Sequence, residues 1–256
     1  MPETGAILSG SIALVTGAST GIGRAIALAA AGAGADVGIT YLSKLREAQE
    51  VARAVERSGR RSAVFQLDLS DSTSISALAA QVRAEFGGVD VWVNNAGVDI
   101  LTGRGAALND VEKLDELLAA DLRGTILASW EAARLMLEQP KGGVILNMSW
   151  DHAISGMPGR NPEMLAAVKG GVLSFSKSLA RSVAPKVRVN VLAPGWIETE
   201  FGNTLPSGRH TEVAMSTPLK RWGTPEDVAR AAVFLASRDA AFITGHALLI
   251  GGGIVM

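Results

Sequence analysis

The sequence predicts an α/β fold: a doubly wound sheet of about seven parallel strands with helices on both faces. Three observations carry this. Short apolar runs alternate with longer stretches of helical periodicity along all 256 residues. The strand-like runs are almost continuously apolar, as strands buried on both faces of a parallel sheet must be. The first of them runs into a glycine-rich turn that opens a helix, the start of a βαβ unit.

Each element has its own signal. Residues 11–15 are apolar and stop at a glycine turn, so they read as the first strand, followed by a helix over 24–33. Residues 36–41 form the second strand, and 44–58 a helix ended by Gly59. Residues 62–67 form the third strand, and 73–86 a helix ended by Gly87 and Gly88. The fourth strand spans 89–93 and is followed by a long helical stretch, 109–137. The fifth spans 143–148. The helix 161–184 takes Asn161 as N-cap, Pro162 at its first position and Pro185 as its stop. The sixth strand is 187–192. The helix 225–236 precedes the seventh strand, 247–250. One domain, 1–256, is expected, with no linker or repeat. The only long irregular stretch, 196–222, reads as a substrate lid.

Composition excludes several functions. Lys plus Arg is 24 and Asp plus Glu is 25, a net charge of −1. That leaves no basic excess for nucleic acid and no polybasic run for a membrane surface. Apolar residues are 48% and charged residues 19%, which excludes disorder. The absence of cysteine removes disulfides, thiolate metal sites and a Cys nucleophile, and no metal is expected. The first residues carry no basic n-region, the first basic residue being Arg24. The early apolar run 25–35 is shorter than the ~18 residues of a membrane span. The expected location is cytoplasmic.

The turn after the first strand reads Thr16-Gly17-Ala18-Ser19-Thr20-Gly21-Ile22-Gly23. Glycines there permit a tight turn and let backbone N–H groups approach a pyrophosphate at a helix N-terminus. Asn94-Asn95-Ala96-Gly97 closes the fourth strand. Lys169 sits in the helix after the fifth. Asn190 to Thr199 (Asn-Val-Leu-Ala-Pro-Gly-Trp-Ile-Glu-Thr) closes the sixth, and Arg221 to Val228 and Ile243-Thr244-Gly245 follow. With these motifs in this order, the chain resembles the short-chain dehydrogenase/reductase family, in its ketoacyl-carrier-protein-reductase-like branch. The resemblance covers nearly the whole chain and implies a Rossmann-type fold. It also implies that Gly17, Ser19, Thr20, Gly21, Ile22 and Gly23 cradle cofactor phosphates and that Asp68 and Leu69 border the adenine. Asn95, Ala96 and Gly97 would run beside the riboses, Pro194, Gly195, Ile197 and Thr199 would hold the nicotinamide end, and Lys169 would bond its ribose.

The catalytic centre departs from the family. Members carry Tyr-x-x-x-Lys, with Tyr as proton donor; here the segment is Leu165-Ala166-Ala167-Val168-Lys169. The only tyrosine, Tyr41, ends the second strand on the adenosine side. Where the family has an Asn after strand four, this chain has Asp121. Where it has an active Ser after strand five, this chain reads Ser149-Trp150-Asp151-His152, so either Ser149 or Trp150 takes that position. A replacement donor is expected from Asp151 and His152, since His titrates near neutral pH and a desolvated Asp can. Ser149 would orient the substrate or stabilise an oxyanion. The plain alternative has Asp151 as a cap or a partner of Lys169 or an Arg, and His152 as a solvated loop residue. His210 reads as a solvated loop residue, His246 as core or interface, and Trp196, Phe201 and Trp222 as an apolar wall or ordinary packing.

The second strand ends Tyr41-Leu42-Ser43-Lys44 without the acid that would bind a ribose 2′-hydroxyl. That favours NADP(H), with Ser19, Thr20, Ser43 and Lys44 as phosphate contacts. The leading reading is an NADP(H)-dependent oxidoreductase with a non-standard active site, acting on a small carbonyl, imine or activated alkene. The alternatives are a repurposed dehydratase, cyclase or isomerase, and a non-catalytic cofactor-binding protein. A homotetramer is expected. Small residues Gly124, Ala128, Gly170 and Gly171 would let two long helices pair across a two-fold axis, and the last strand would form a second contact.

Overall fold

The computed structural model describes residues 6–200, 202 and 207–256. Seven strands form one parallel sheet in the order β3-β2-β1-β4-β5-β6-β7. They are β1 Ile12–Val15, β2 Asp36–Tyr41, β3 Ser62–Gln66, β4 Val91–Asn94, β5 Gly143–Met148, β6 Val187–Pro194 and β7 Ala247–Ile250. The order reverses between β1 and β4, and at such a switch point the loops beyond the strand ends part into a crevice.

Successive strand residues point to opposite faces, and the apolar runs fill both. Ala13, Val15, Val91, Val93, Val144 and Leu146 pack under helices α1 (Gly21–Gly32), α2 (Leu45–Arg57) and Pro225–Ala236. Leu14, Trp92 and Ile145 face the other way, toward α3 (Ser72–Phe86) and the long helices that follow β4 and β5. Some helix starts are capped by short polar side chains. Asp71 caps α3, and Thr224 with Asp227 forms a capping box on Pro225–Ala236.

Several expectations need correction. The stretch 109–137 is not one uniform α-helix. After a short helix α4 (Gly103–Ala106), it runs as α5 (Asp110–Glu116), a π-helical segment Leu117–Gly124, and α6 (Thr125–Glu138). A single turn α7 (His152–Ser155) precedes α8 (Arg160–Val183). The N-cap of α8 is Gly159, not Asn161, because Gly159 adopts φ +122°, which the turn requires. The stretch 196–222 is not wholly irregular, since it contains the helix Ser207–Ser216. Three of the four small residues read as free for helix pairing are spent within the chain. A Cβ on Gly124 would stand 2.5 Å from the Leu69 carbonyl oxygen, and one on Gly171 3.0 Å from Leu122, while Ala128 is fully buried. Gly170 differs, since the nearest atom to the place of its Cβ is the Ala153 oxygen, 3.9 Å away, an ordinary contact.

Candidate active site

Four strand ends converge at the crevice. The β1 turn and the β4 turn are clasped together. Thr16 Oγ1 accepts from the N–H groups of Asn95 (3.0 Å) and Ala96 (2.9 Å), and Asn95 Nδ2 donates to the Thr16 carbonyl at 2.9 Å. Gly17 takes φ +62°, and a Cβ there would lie 2.9 Å from Ala96 Cα. Gly23 has no room either: its Cβ would stand 2.4 Å from both Gly17 O and Asn95 Nδ2. Thr20 is the N-cap of α1 but makes no side-chain cap bond, so the first helical N–H groups open onto the crevice. Gly21 and Thr199 face each other across it, Thr199 Cγ2 being 3.9 Å from the place of a Gly21 Cβ. Ile22 packs partly against the core.

Lys169 lies on α8, four residues after Leu165. Its Nζ pairs with Asp121 Oδ2 at 2.8 Å, with the two side chains 13% and 3% exposed. Asp121 Oδ1 accepts from the Val98 N–H at 2.8 Å, and Asp121 sits in the π-helical segment, a form that recurs at functional sites. Gly97 is glycine because its Cβ would meet Asp121 Oδ2 at 2.7 Å. Leu165 packs with Ile100, Leu117, Met164 and Val168 in an apolar cluster.

The segment after β5 departs from what was expected of it. The Ser149 hydroxyl donates to the Lys169 carbonyl at 2.9 Å, so its proton is already committed. Asp151 is the N-cap of α7, as its plain alternative had it, its side chain accepting from His152 N, but it pairs with neither Lys169 nor an Arg. It is fully buried, and its Oδ1 lies 2.7 Å from His152 Nδ1. Burial pushes its carboxyl above the ordinary carboxylate range, and the bonds from His152 pull it partly back. His152 stacks on Trp150 at 5.0 Å and meets Trp196 edge-on at 6.4 Å. Trp196 meets Trp222 at 5.5 Å, and His210 stacks on Trp222 at 4.7 Å. His210 is therefore part of an aromatic row and not a solvated loop residue. His246 is exposed, contrary to the core reading. Phe201 lies outside the described residues.

The β2 and β3 side of the crevice is also furnished. Asp68 Oδ1 accepts from Ser70 N and Oγ, at 2.8 and 2.6 Å. Leu69 is buried and Tyr41 half-buried. Lys44 forms an exposed pair with Glu200 at 3.0 Å, bridging the end of β2 to the segment after β6, and Ser43 beside it is exposed. A cleft of about 430 Å³ opens next to Ser19 and Thr20, lined further by Arg24, Arg53 and Arg57 and by Glu47 and Glu50. At the other end, Gly195 N–H donates to the Ile250 carbonyl, Pro194 O accepts from Asp151 N, and Ile197 bridges to Gly223.

Sequence reasoning missed the layer underneath. Trp92 Nε1 donates to Asn94 Oδ1 at 2.8 Å, Asn94 Nδ2 to Ser129 and to Asn147, and Asn147 Nδ2 to Ser176. This buried network ties β4 and β5 to α6 and α8, the helix that carries Lys169. Asn94 and Asn147, each polar inside an otherwise apolar strand, were the available signal. Among the described residues, no helix is long and apolar enough to cross a membrane, and no three His, Asp or Glu side chains are grouped to hold a metal ion.

Comparison with known proteins agrees with this geometry. The family model described as enoyl-(acyl carrier protein) reductase matches residues 17–255. The chain is 38% identical over 250 residues to the 3-oxoacyl-(acyl-carrier-protein) reductase of Escherichia coli, covering 96% of this chain and 98% of that one. It is 36% identical to an uncharacterized oxidoreductase of Bacillus subtilis, covering 97% and 92%. Among solved structures, a short-chain dehydrogenase from Burkholderia cenocepacia in complex with NADP superposes with TM-score 0.87 at 33% identity, covering 97% and 99%.

Proposed function

The chain belongs to the short-chain dehydrogenase/reductase family, and from that premise we propose that it is an NADP(H)-dependent oxidoreductase with a non-standard active site, acting on a small carbonyl, imine or activated alkene. The observation that carries this is the pairing of an intact dinucleotide cradle with a Lys169 held at 2.8 Å by Asp121. The cradle suits the cofactor on its own geometry. Gly17 and Gly23 have no space for a Cβ, and the N-terminus of α1 is uncapped by side chains, so backbone N–H groups can meet a pyrophosphate.

A bound nicotinamide cofactor supplies the hydride. The chain's own residues do the rest. Gly17, Ser19, Thr20, Gly21, Ile22 and Gly23 hold the phosphates. Asp68 and Leu69 border the adenine, Asn95, Ala96 and Gly97 flank the riboses, and Pro194, Gly195, Ile197 and Thr199 hold the nicotinamide end. Lys169 bonds the ribose, and Asp121, paired with it at 2.8 Å, holds the ammonium in place. Leu165, where the family has its tyrosine, offers no proton, and the donor comes from Asp151 and His152.

Three observations support NADP(H) over NAD(H). No acid ends β2, the cations Arg24, Arg53 and Arg57 line the adjoining cleft, and the Burkholderia relative was solved with NADP. The assembly we propose is a homotetramer. With Gly124, Ala128 and Gly171 used internally, its contacts extend to exposed apolar side chains. Trp130 on α6 is 54% exposed and meets Phe175 on α8 at 6.3 Å, and Phe234 and Phe242 lie exposed before β7.

The test is NADPH absorbance across a panel of carbonyl, imine and activated-alkene substrates, together with binding titrations of NADPH and NADH. Turnover with loss of absorbance and tighter NADPH binding are expected. Tighter NADH binding would overturn the cofactor assignment. If Leu165→Tyr alone creates carbonyl reduction that the wild type lacks, the redox reading is wrong.

A further inference from the structure

The proposed function leaves open which of Asp151 and His152 meets the substrate, and the packing around them decides it. Asp151 is fully buried. Its Oδ1 takes two bonds from its neighbour, from His152 N and from His152 Nδ1, both at 2.7 Å. Its Oδ2 has no hydrogen-bond partner among the described residues. That oxygen fills a slot between the ends of β6 and β7. A Cβ at Gly195 would stand 2.5 Å from Oδ2, and one at Gly251 only 2.2 Å. Neither glycine has positive φ, so the backbone does not demand glycine at either position. The carboxyl does.

His152 is placed differently. Its side chain keeps 11% of its surface, and its ring is held between Trp150 and Trp196. With Nδ1 turned to Asp151, Nε2 is the ring atom left to act, and it has no hydrogen bond among the described residues. The turn it starts lies beside the Lys169 turn of α8, the Ala153 oxygen being 3.9 Å from the place of a Gly170 Cβ.

Building on that redox reading, we infer that His152 Nε2 is the proton donor to the substrate oxygen and that Asp151 is a positioning residue, locked by Gly195 and Gly251, that fixes the proton on Nδ1. Reduction of a carbonyl takes one hydride at carbon and one proton at oxygen. The hydride is the nicotinamide's. As it arrives, the C=O π pair moves to oxygen and takes the proton from the His152 imidazolium. Neutral imidazole remains, with Nδ1–H still donated to the Asp151 carboxylate. Oδ2 is buried in the slot without a hydrogen-bond partner among the described residues, so the side-chain bond that the carboxylate receives is the one from His152.

The experiment reads the histidine directly. The chain has only three histidines, so long-range proton–nitrogen NMR of the full-length protein resolves each ring, with His152→Gln giving the assignment. In the wild type, neutral His152 should be the Nδ1–H tautomer, the reverse of free histidine. Asp151→Asn and Gly251→Ala should each abolish that preference. A wild-type Nε2–H tautomer overturns the inference without any variant. So does a preference that survives in Asp151→Asn or in a Gly251→Ala protein folded by circular dichroism. With a substrate in hand, His152→Ala should lower kcat by about 10²–10⁴-fold with KM nearly unchanged, and full kcat in that variant also overturns it. Asp151→Asn should lower kcat as well, by up to about 10⁴-fold where the wrong tautomer is locked in. The Nδ1–H tautomer in the wild type, lost in Asp151→Asn, upholds the dyad even where no NADPH is consumed. Absence of NADPH oxidation then overturns the redox reading alone.

Discussion

Replacing Asp121 by Asn isolates the pair on which the site turns. Asp121 Oδ2 and Lys169 Nζ are 2.8 Å apart, and the carboxylate is 3% exposed. At that separation the attraction is about 6 kcal/mol for an effective dielectric near 20, before the cost of removing both ions from water. An exposed pair nets roughly 0–1 kcal/mol, whereas removing one partner of a buried pair costs about 3–5 kcal/mol. Lys169 keeps 13% of its side-chain surface, so the expected loss is toward the low end of the buried range, about 3 kcal/mol. For a chain of this size, that lowers Tm by roughly 6–12 °C. Asn can still accept from the Val98 N–H, so the loss reports the charge and not the loop. The assay is urea denaturation of Asp121→Asn, Lys169→Met and the double variant. A coupling of about 2 kcal/mol or more is expected, and one below about 0.5 kcal/mol would refute the reasoning.

Gly23→Ala puts a methyl 2.4 Å from the Gly17 carbonyl and should cost about 1–3 kcal/mol in stability. It should also weaken NADPH binding by about tenfold or more, which is about 1.4 kcal/mol, and calorimetric titration with an unchanged Kd would count against the cradle. Asp227 accepts bonds from Arg221, Arg230 and the Thr224 N–H, and the Arg221 guanidinium first among them holds its carboxyl far below the usual range. A depressed carboxylate stabilises the fold above the unfolded pKa of ~3.9 and loses that effect as pH falls further. Asp227→Asn should therefore be about 1–2 kcal/mol less stable at pH 7, from the lost cap and pairs. The gap should narrow in acid, and urea melts showing an equal gap well below pH 3 would contradict this. For the assembly, light scattering should give the mass of four chains, and Trp130→Asp should reduce it; a wild-type monomer at micromolar concentration would exclude the tetramer.

The periodicities in the chain determined the layers. β2, β5, β7 and the helix Pro225–Ala236 lie where apolar runs and caps put them, because a strand's or a helix's period and its terminal signals are local properties. The glycine turn after β1 was legible for the same reason, being set by turn geometry within a short motif, whereas its clasp by Thr16 and Asn95, 79 residues apart, is tertiary. What no local pattern contains is the choice between alternatives that look alike along the chain. The periodicity over 109–137 cannot show a π-helical segment, since one extra residue in a turn rotates all that follows by about 100°. Only packing against Val98 and Lys169 selects it. The role of Asp151 was equally hidden. Its sequence neighbours allowed a donor, a cap or an ion-pair partner, and the slot that decides among them is made by Gly195 and Gly251, 44 and 100 residues away along the chain. The parallel sheet brings the ends of β5, β6 and β7 together, and the absence of two Cβ atoms there gives the carboxyl its place.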